Sequence, residues 1–403
     1  MRVTEARVNG VPPLRPVAIA TLHYGHNEGS ILQAYSVAQA VARHVPAHGV
    51  EILDQRYPGK LAIEKEPTGD RQIAIRRAAD GWLPLSPERF LSESHAAALD
   101  YVRRHCSAIV VGSDVLWRFR FFPYLGGFMR IQRPGFYTPV PNVYWPDDSV
   151  NVPRISYAAS VGASDWRHMP FGVRRRLRRI LSGFAAVSVR DTRTLRFLEW
   201  LDKSVARRTA LVPDPTWATD LLPLVDAEEL KARLVAAGVD FSRPRAGFVT
   251  GSCDSARSCA DHLRRRGYQI IGITTANDFS DVRLFDHGFH PLQWARLFGF
   301  MDLVVSERMH GTIFCLQNDT PVVALDINDA DGDPDTKIVD LFRGFGLERF
   351  CLPKTTSSAA QLIAACEDVI AAPWNWPEIA QQRARHRRTA DVFLQQLKDL
   401  VPG

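Results

Sequence analysis

One rhythm runs through this 403-residue chain and leaves few folds open to it. Short runs of β-branched and small apolar residues recur, each followed by a segment with helical spacing. Pro16–Thr21 (PVAIAT) leads into Ser30–Val45, where Ile31, Leu32, Tyr35, Val37, Ala38 and Val41 recur at helical intervals. Val50–Leu53, Ala108–Val111, Arg154–Ala159, Ala185–Val189 and Ala210–Val212 repeat the strand signature, and Arg190–Trp200 reads as a helix. Runs that are apolar on both faces and alternate with helices specify a mostly parallel α/β sheet.

The pattern then begins again. Ala227–Ala237 reads as a helix ended by Gly238, and Arg245–Thr250, Tyr268–Ile273, Leu303–Ser306 and Pro321–Leu325 read as strands separated by helices. Pro377–Val401 is a long, Arg-rich amphipathic segment. A chain of this length exceeds what one hydrophobic core usually holds. The expected fold class is therefore α/β, with two Rossmann-like domains facing across a cleft. The boundaries fall at 1–208 and 209–375, and a C-terminal helix, 376–403, packs back across both. Ligands of such sheets bind beyond the carboxyl ends of strands, which places the site between the domains.

Composition removes several function classes. Hydrophobic residues at 46% and charged residues at 23% exclude a disordered chain. No window reaches the ~18 apolar residues of a membrane helix. Met1–Arg7 carries an early acid and lacks a signal peptide's apolar core, so a cytoplasmic protein is expected. Six scattered cysteines without a CxxC pair read as reduced structural thiols, and no metal site is expected. The net charge of +6 is spread along the chain and does not imply nucleic acid; an anionic small molecule or surface fits better. The Arg-rich C-terminal helix has two readings, contact with an anionic membrane or packing across the domains, and packing is the expectation. Residues 118–153, dense in aromatics, Pro and Gly, show no period and read as a packed flap or a lip over a substrate. INDADGDPD lacks the ligands of a calcium loop at the positions of Ile327 and Ile338, and no zincin, P-loop or nucleophile-elbow motif occurs.

Four strand-to-helix junctions carry chemistry. Thr21–Ser30 contains Tyr24, Asn27 and two glycines including Gly29; it is either an anion-binding helix start or a tight turn. Val111-Gly112-Ser113-Asp114 places Asp114 to cap a helix or to enter the cleft as a base. Val187–Asp191 ends a strand in Arg190, which points at a ligand or forms an ion pair. Val304–Ile313 delivers Arg308 and His310 and then Gly311-Thr312 at a helix start, a plausible phosphate or carboxylate site with a built-in acid/base group.

YGHNEGSILQAYSVAQAV, IVVGSDVLW, RISYAASVG, AVSVRDTRTLRFL, LVPDPTWAT and VVSERMHGTIFCLQNDTPVVAL occur in this order between about residues 17 and 326. Together they resemble the polysaccharide pyruvyl transferase family. The resemblance implies a glycosyltransferase-B-type architecture and transfer of a pyruvyl group from phosphoenolpyruvate to sugar hydroxyls as a ketal. It implies that Arg190 and Arg308 grip the donor across the cleft, with Gly311 and Thr312 beside them. His310 becomes the candidate acid and Asp114 the group that orients or deprotonates the acceptor. Tyr24, Asn27, Gly29, Ser113 and Ser160 become candidate substrate contacts. No cofactor is implied, because fixed guanidinium charges serve the anion. The chain departs from the family pattern in a first junction with fewer glycines and in the aromatic 118–153 segment. The first departure leaves the role of Asn27 open, and the second widens the acceptor class to a lipid-linked sugar or a specialised small molecule. The competing readings are a nucleotide-sugar glycosyltransferase of the same architecture and a non-catalytic anion- or glycan-binding protein.

Overall fold

The computed structural model describes residues 14–56, 67, 69–91, 95–119, 121–124, 129–132, 140–327, 336–372 and 374–401. The first half runs β1 (Leu14–Ala20), α1 (Glu28–His44), β2 (His48–Gln55), α2 (Asp70–Trp82), β3 (Leu85–Phe90), α3 (Ala96–His105) and β4 (Ala108–Val111). It continues through β5 (Phe121–Tyr124), β6 (Met129–Gln132), β7 (Arg154–Ala159), α4 (Phe171–Ser182), β8 (Ala186–Val189), α5 (Thr192–Leu201), α6 (Lys203–Arg207) and β9 (Thr209–Leu211). Seven of these strands form one parallel sheet in the order β3-β2-β1-β4-β7-β8-β9. Strands β4, β7 and β8 are buried along their whole length, which is why their sequences are mostly apolar, broken only by Arg154, Ser156 and Ser188.

The second half runs α7 (Ala227–Ala236), β10 (Arg245–Val249), α8 (Asp254–Arg265), β11 (Gln269–Gly272), β12 (Val282–Arg283), α9 (Pro291–Leu297) and β13 (Leu303–Ser306). Then come α10 (Met309–Gln317), β14 (Val322–Asp326), α11 (Lys337–Gly344), β15 (Cys351–Pro353), α12 (Ala359–Ala371), α13 (Trp376–Leu394) and α14 (Leu397–Leu400). Its parallel sheet has the order β12-β11-β10-β13-β14-β15.

The expected architecture is present, with four corrections. Strand β9 closes the first sheet, so that domain extends past the expected boundary at 208. Strand β3 (LSPERF) was not expected, because Pro87 and its polar neighbours mask it; it survives as an edge strand beside β2. The 118–153 segment is not wholly irregular: β5 and β6 pair as an antiparallel ribbon, and Trp117 stacks on Trp145 at 4.6 Å in the core. The C-terminal helix is two helices, α13 and α14. Ile379 enters the second domain's core, whereas Ala390, Phe393, Leu394 and Leu397 enter the first domain's. All six cysteines are free thiols. Residues 1–7 and most of INDADGDPD (residues 328–335) lie outside the described residues.

Helix α1 ties the halves together. Thirteen of its 17 residues are buried, which suits its run of small and apolar side chains. Ile31, Ala34, Val37 and Val41 pack into the first domain, while Leu32 belongs to the second domain's core. Tyr35 stacks on Trp82 at 3.8 Å, and Trp82 meets His290 edge-on across the domain border.

Candidate functional site

In each sheet the strand order reverses direction beside one central strand, between β1 and β4 in the first and between β10 and β13 in the second. The connections leaving a sheet at such a point part to opposite faces, and the crevice between them is where ligands bind. The segments that leave these four strands are Thr21–Asn27, Gly112–Asp114, Thr250–Cys253 and Glu307–Arg308. Three of the four chemical junctions read from the sequence thus converge through topology alone or lie next to that point.

Asp114 does not cap a helix. It sits at φ 90°, a region L-residues rarely occupy and one that clusters at functional sites. Its carboxylate accepts from the Val115 N–H (2.7 Å) and from the Ser30 hydroxyl (3.3 Å). The first turn of α1 therefore holds a carboxylate delivered by β4. Asn27 caps that helix by accepting from the Gly29 N–H at 3.0 Å. Glu28 is buried and held by both ends of the Arg71 guanidinium, at 2.6 and 2.7 Å.

Gly29 has a reason the sequence did not reveal. A Cβ at this position would lie 2.2 Å from Nδ1 of His310, which arrives from the other domain. Only a glycine lets the imidazole rest against the start of α1. Arg308 is the N-cap of α10 and is exposed, whereas His310, in the helix's first turn, is partly buried. The Thr312 N–H and hydroxyl both donate to the Arg308 carbonyl, and Gly311 packs against the Ser306 hydroxyl, so these two support the turn from behind.

Beneath His310 lies a buried ionic network. The Asp214 carboxylate, 1% exposed, accepts from Arg190 Nη1 at 2.8 Å and from Gln33 Nε2 at 2.6 Å. Its other oxygen accepts from the Thr216 N–H and hydroxyl. His310 Nε2 stands 3.8 Å from the same carboxylate, within ion-pair range but beyond a hydrogen bond. Burial alone would raise the Asp214 carboxyl; His310, Arg190 and the Thr216 N–H outweigh it and hold the group well below the usual carboxylate range. Burial likewise opposes the Arg190 charge, and Asp214, Asp114 and Asp191 overcome it and raise that guanidinium. Arg190, expected to meet the donor with Arg308, is paired with Asp214 through Nη1, while its Nε and Nη2 have no hydrogen-bond partner among the described residues. A guanidinium this deep requires a carboxylate, and Asp214, carried by the loop after β9, supplies it.

Asp114, Asn27, Arg308 and His310 line one cavity of about 90 Å3 between the domains, with Glu28, Arg71, Trp294 and Lys337 among the other residues of its wall. Arg190 and Asp214 line a neighbouring cavity of about 390 Å3 together with Met309, His386 and Lys337. Lys337 borders both, and burial lowers its pKa. Lysine supplies only seven of the chain's 50 basic residues, so an ammonium here is not an accident of composition. Sequence reasoning missed it, although Thr336-Lys337 ahead of an apolar helical run was an available signal; Thr336 caps α11 by accepting from the Val339 N–H. Tyr24 is buried with its ring edge-on to His23. The Ser113 hydroxyl is buried without a partner, and Ser160 donates to Asp191 at 2.5 Å, bracing the cap of α5. Among the described residues no group of three or more His, Cys, Asp or Glu side chains is arranged to hold a metal ion.

A family model described as polysaccharide pyruvyl transferase matches residues 27–329, most of the chain. No curated protein matches the sequence. Among solved structures, a UDP-GlcNAc 2-epimerase from Neisseria meningitidis bound to UDP-GlcNAc superposes with a TM-score of 0.53 at 7% identity, over 96% of this chain and 100% of that one. A UDP-GlcNAc 2-epimerase from Methanocaldococcus jannaschii gives 0.53 at 10% identity, over 94% and 98%. A glycosyltransferase from Rickettsia africae gives 0.51 at 9%, over 96% and 98%. At such identities the likeness concerns the fold, which is the glycosyltransferase-B type with two facing α/β domains.

Proposed function

The chain belongs to the polysaccharide pyruvyl transferase family, and we propose that it moves the pyruvyl group of phosphoenolpyruvate onto two hydroxyls of a sugar-containing acceptor. The observation that supports this reading best is the single cavity, between the domains, in which an exposed guanidinium, an ammonium, an imidazole and a carboxylate meet.

The chemistry divides among those groups. Phosphoenolpyruvate brings a phosphate and a carboxylate, which Arg308 receives as a fixed cation with Lys337 as a second donor beside it. C3 of the enol takes a proton and C2 gains oxocarbenium character. One acceptor hydroxyl adds to C2; the second then displaces phosphate as the C2–O bond to phosphorus-bearing oxygen breaks. Of the two hydroxyl protons released, one balances the proton that made the methyl group and the other leaves with phosphate. His310 delivers the proton to C3 or to the departing phosphate. Asp214 orients the ring from beneath, held in turn by Arg190 and Gln33. Asp114 accepts an acceptor hydroxyl proton, its carboxylate aimed by Ser30 and the Val115 N–H. No resident cofactor or metal enters these steps.

The test mixes the protein with phosphoenolpyruvate and a panel of sugar diols, then follows phosphate release and a pyruvyl mass increment on the acceptor. Both signals are expected, insensitive to EDTA, and both are expected to vanish in His310→Ala. Thermal stabilisation by UDP without any response to phosphoenolpyruvate would move the reading to a nucleotide-sugar glycosyltransferase.

A further inference from the structure

Helix α4 carries a charge pattern that folding does not ask for. Its 12 residues, FGVRRRLRRILS, include five arginines and no acid. Leu177, Ile180 and Leu181 face the core, at 1%, 2% and 0% exposure, and anchor the helix on the sheet. That anchoring needs none of the cations. Guanidinium groups crowded on neighbouring turns repel one another, and those near the amino end oppose the helix dipole. Arg174 is used locally, stacked on Trp200 and donating to its carbonyl, and Arg176 donates to the Val140 carbonyl. Arg178 pairs with Asp202 at 3.1 Å. Arg175 and Arg179 are exposed and have no such partner among the described residues. At the amino end of the same helix Phe171 is 78% exposed, the most exposed of the large apolar side chains described.

The Arg-rich helix α13 shows the contrast. There Arg383 is spent on the Leu316 and Gln317 carbonyls and on Asp319, and Arg387 faces Asp220. Arg385 and Arg388 of α13 stay exposed as Arg175 and Arg179 do, so what sets α4 apart is the exposed Phe171 ring at its amino end. Topology gives that surface a position. In a parallel α/β sheet a helix begins at the carboxyl end of the strand before it. Phe171 therefore lies on the side of the sheet where β4 and β7 release Asp114 and Ser160.

We propose that the face of α4 bearing Phe171, Arg175 and Arg179 docks on an anionic lipid bilayer. Arginines meet the headgroup phosphates, and the Phe171 ring enters the interface. An exposed aromatic beside unpaired cations is the combination that binds such surfaces, where each basic residue adds a comparable increment. The cleft mouth is then held at the bilayer, within reach of a surface-anchored acceptor. The docking is independent of the catalytic reading, since it needs no turnover.

The experiment is sedimentation of the full chain with vesicles of pure phosphatidylcholine and with vesicles containing phosphatidylglycerol. Binding is expected to the second only and to weaken as salt is raised. The double variant Arg175→Glu/Arg179→Glu should lose roughly thirtyfold or more in vesicle affinity, and Phe171→Ser should lose a smaller factor. Unchanged circular dichroism and an unchanged melting temperature keep the variants interpretable, as neither arginine supports the fold. Equal binding to both vesicle types overturns the proposal, as does full binding by the double variant. Binding to duplex DNA through these arginines, with none to the vesicles, also overturns it and assigns the face to nucleic acid.

Discussion

The junctions after β8 and β13 both end a buried strand in arginine, and the two arginines have opposite fates. Arg190 has a side chain only 2% exposed and is locked on Asp214; Arg308 is exposed at the start of α10 and faces a cavity. Among the described residues a carboxylate forms an ion pair with Arg190 and none does so with Arg308. The buried pair lies beneath the His310 ring, 3.8 Å from it, while the Arg308 guanidinium lines the interdomain cavity. Local motif and strand position do not distinguish these outcomes; the counter-charge does.

Removing that counter-charge should produce the largest effect. Asp214→Ala strands Arg190 in the interior, and a loss of about 3–5 kcal/mol in unfolding free energy is expected from denaturant titration. Stability unchanged within error would mean that the pair is not framework. Next comes the imidazole above that pair. His310→Ala is expected to lower kcat by about 10²–10⁴-fold while leaving donor affinity nearly intact, as read by calorimetry with phosphoenolpyruvate. Gly29→Ala sharpens the point, because its methyl group intrudes on the ring itself. A displacement near 1 Å costs about a hundredfold in rate, with little change in melting temperature. At the open junction, Arg308→Ala should raise KM for the donor about 10–100-fold, the loss of a charge-assisted contact, and leave stability unmoved. A destabilised Arg308 variant would erase the contrast with Arg190.

The smallest effect tests how acid reaches the framework's neighbour. Burial, with Arg385 adding to it, lowers the pKa of His386 to about 4. That ring stacks on Trp217, two residues from Pro215 and three from Asp214 in the chain. With the folded value below the unfolded one, the unfolded chain binds the extra proton between about 4 and ~6.5. Stability contributed by the neutral ring is complete above that window and declines as pH falls through it. His386→Phe should flatten this part of the stability profile; His95, lowered by burial to about 4 as well, should keep part of the slope.

What could be read beforehand follows a physical division. Ala108–Val111 and Leu303–Ser306 were legible because a strand buried on both faces admits only apolar residues. The junction residues were legible because α/β topology gives strand ends a known place. Leu85–Phe90 was not, since an edge strand tolerates the Pro and charges that otherwise argue against one. The network under His310 was illegible for a different reason. Gln33 and Asp214 are 181 positions apart, and no local pattern encodes that meeting. Gly29 read as part of an anion-binding helix start or a tight turn, because its partner His310 belongs to the other domain. Lys337 was passed over because its importance lies in the cavities it borders, not in its neighbours along the chain.

Helix α1 lends Leu32 to one hydrophobic interior while the rest of its apolar face fills the other. Neither half owns a complete interior, so separating the halves would strip a wall from each. The two lobes are accordingly expected to melt as a single cooperative unit, one transition in calorimetry. Any widening of the crevice must be small enough to leave that borrowed leucine in its socket, which restricts the molecule to rocking about α1 rather than swinging apart.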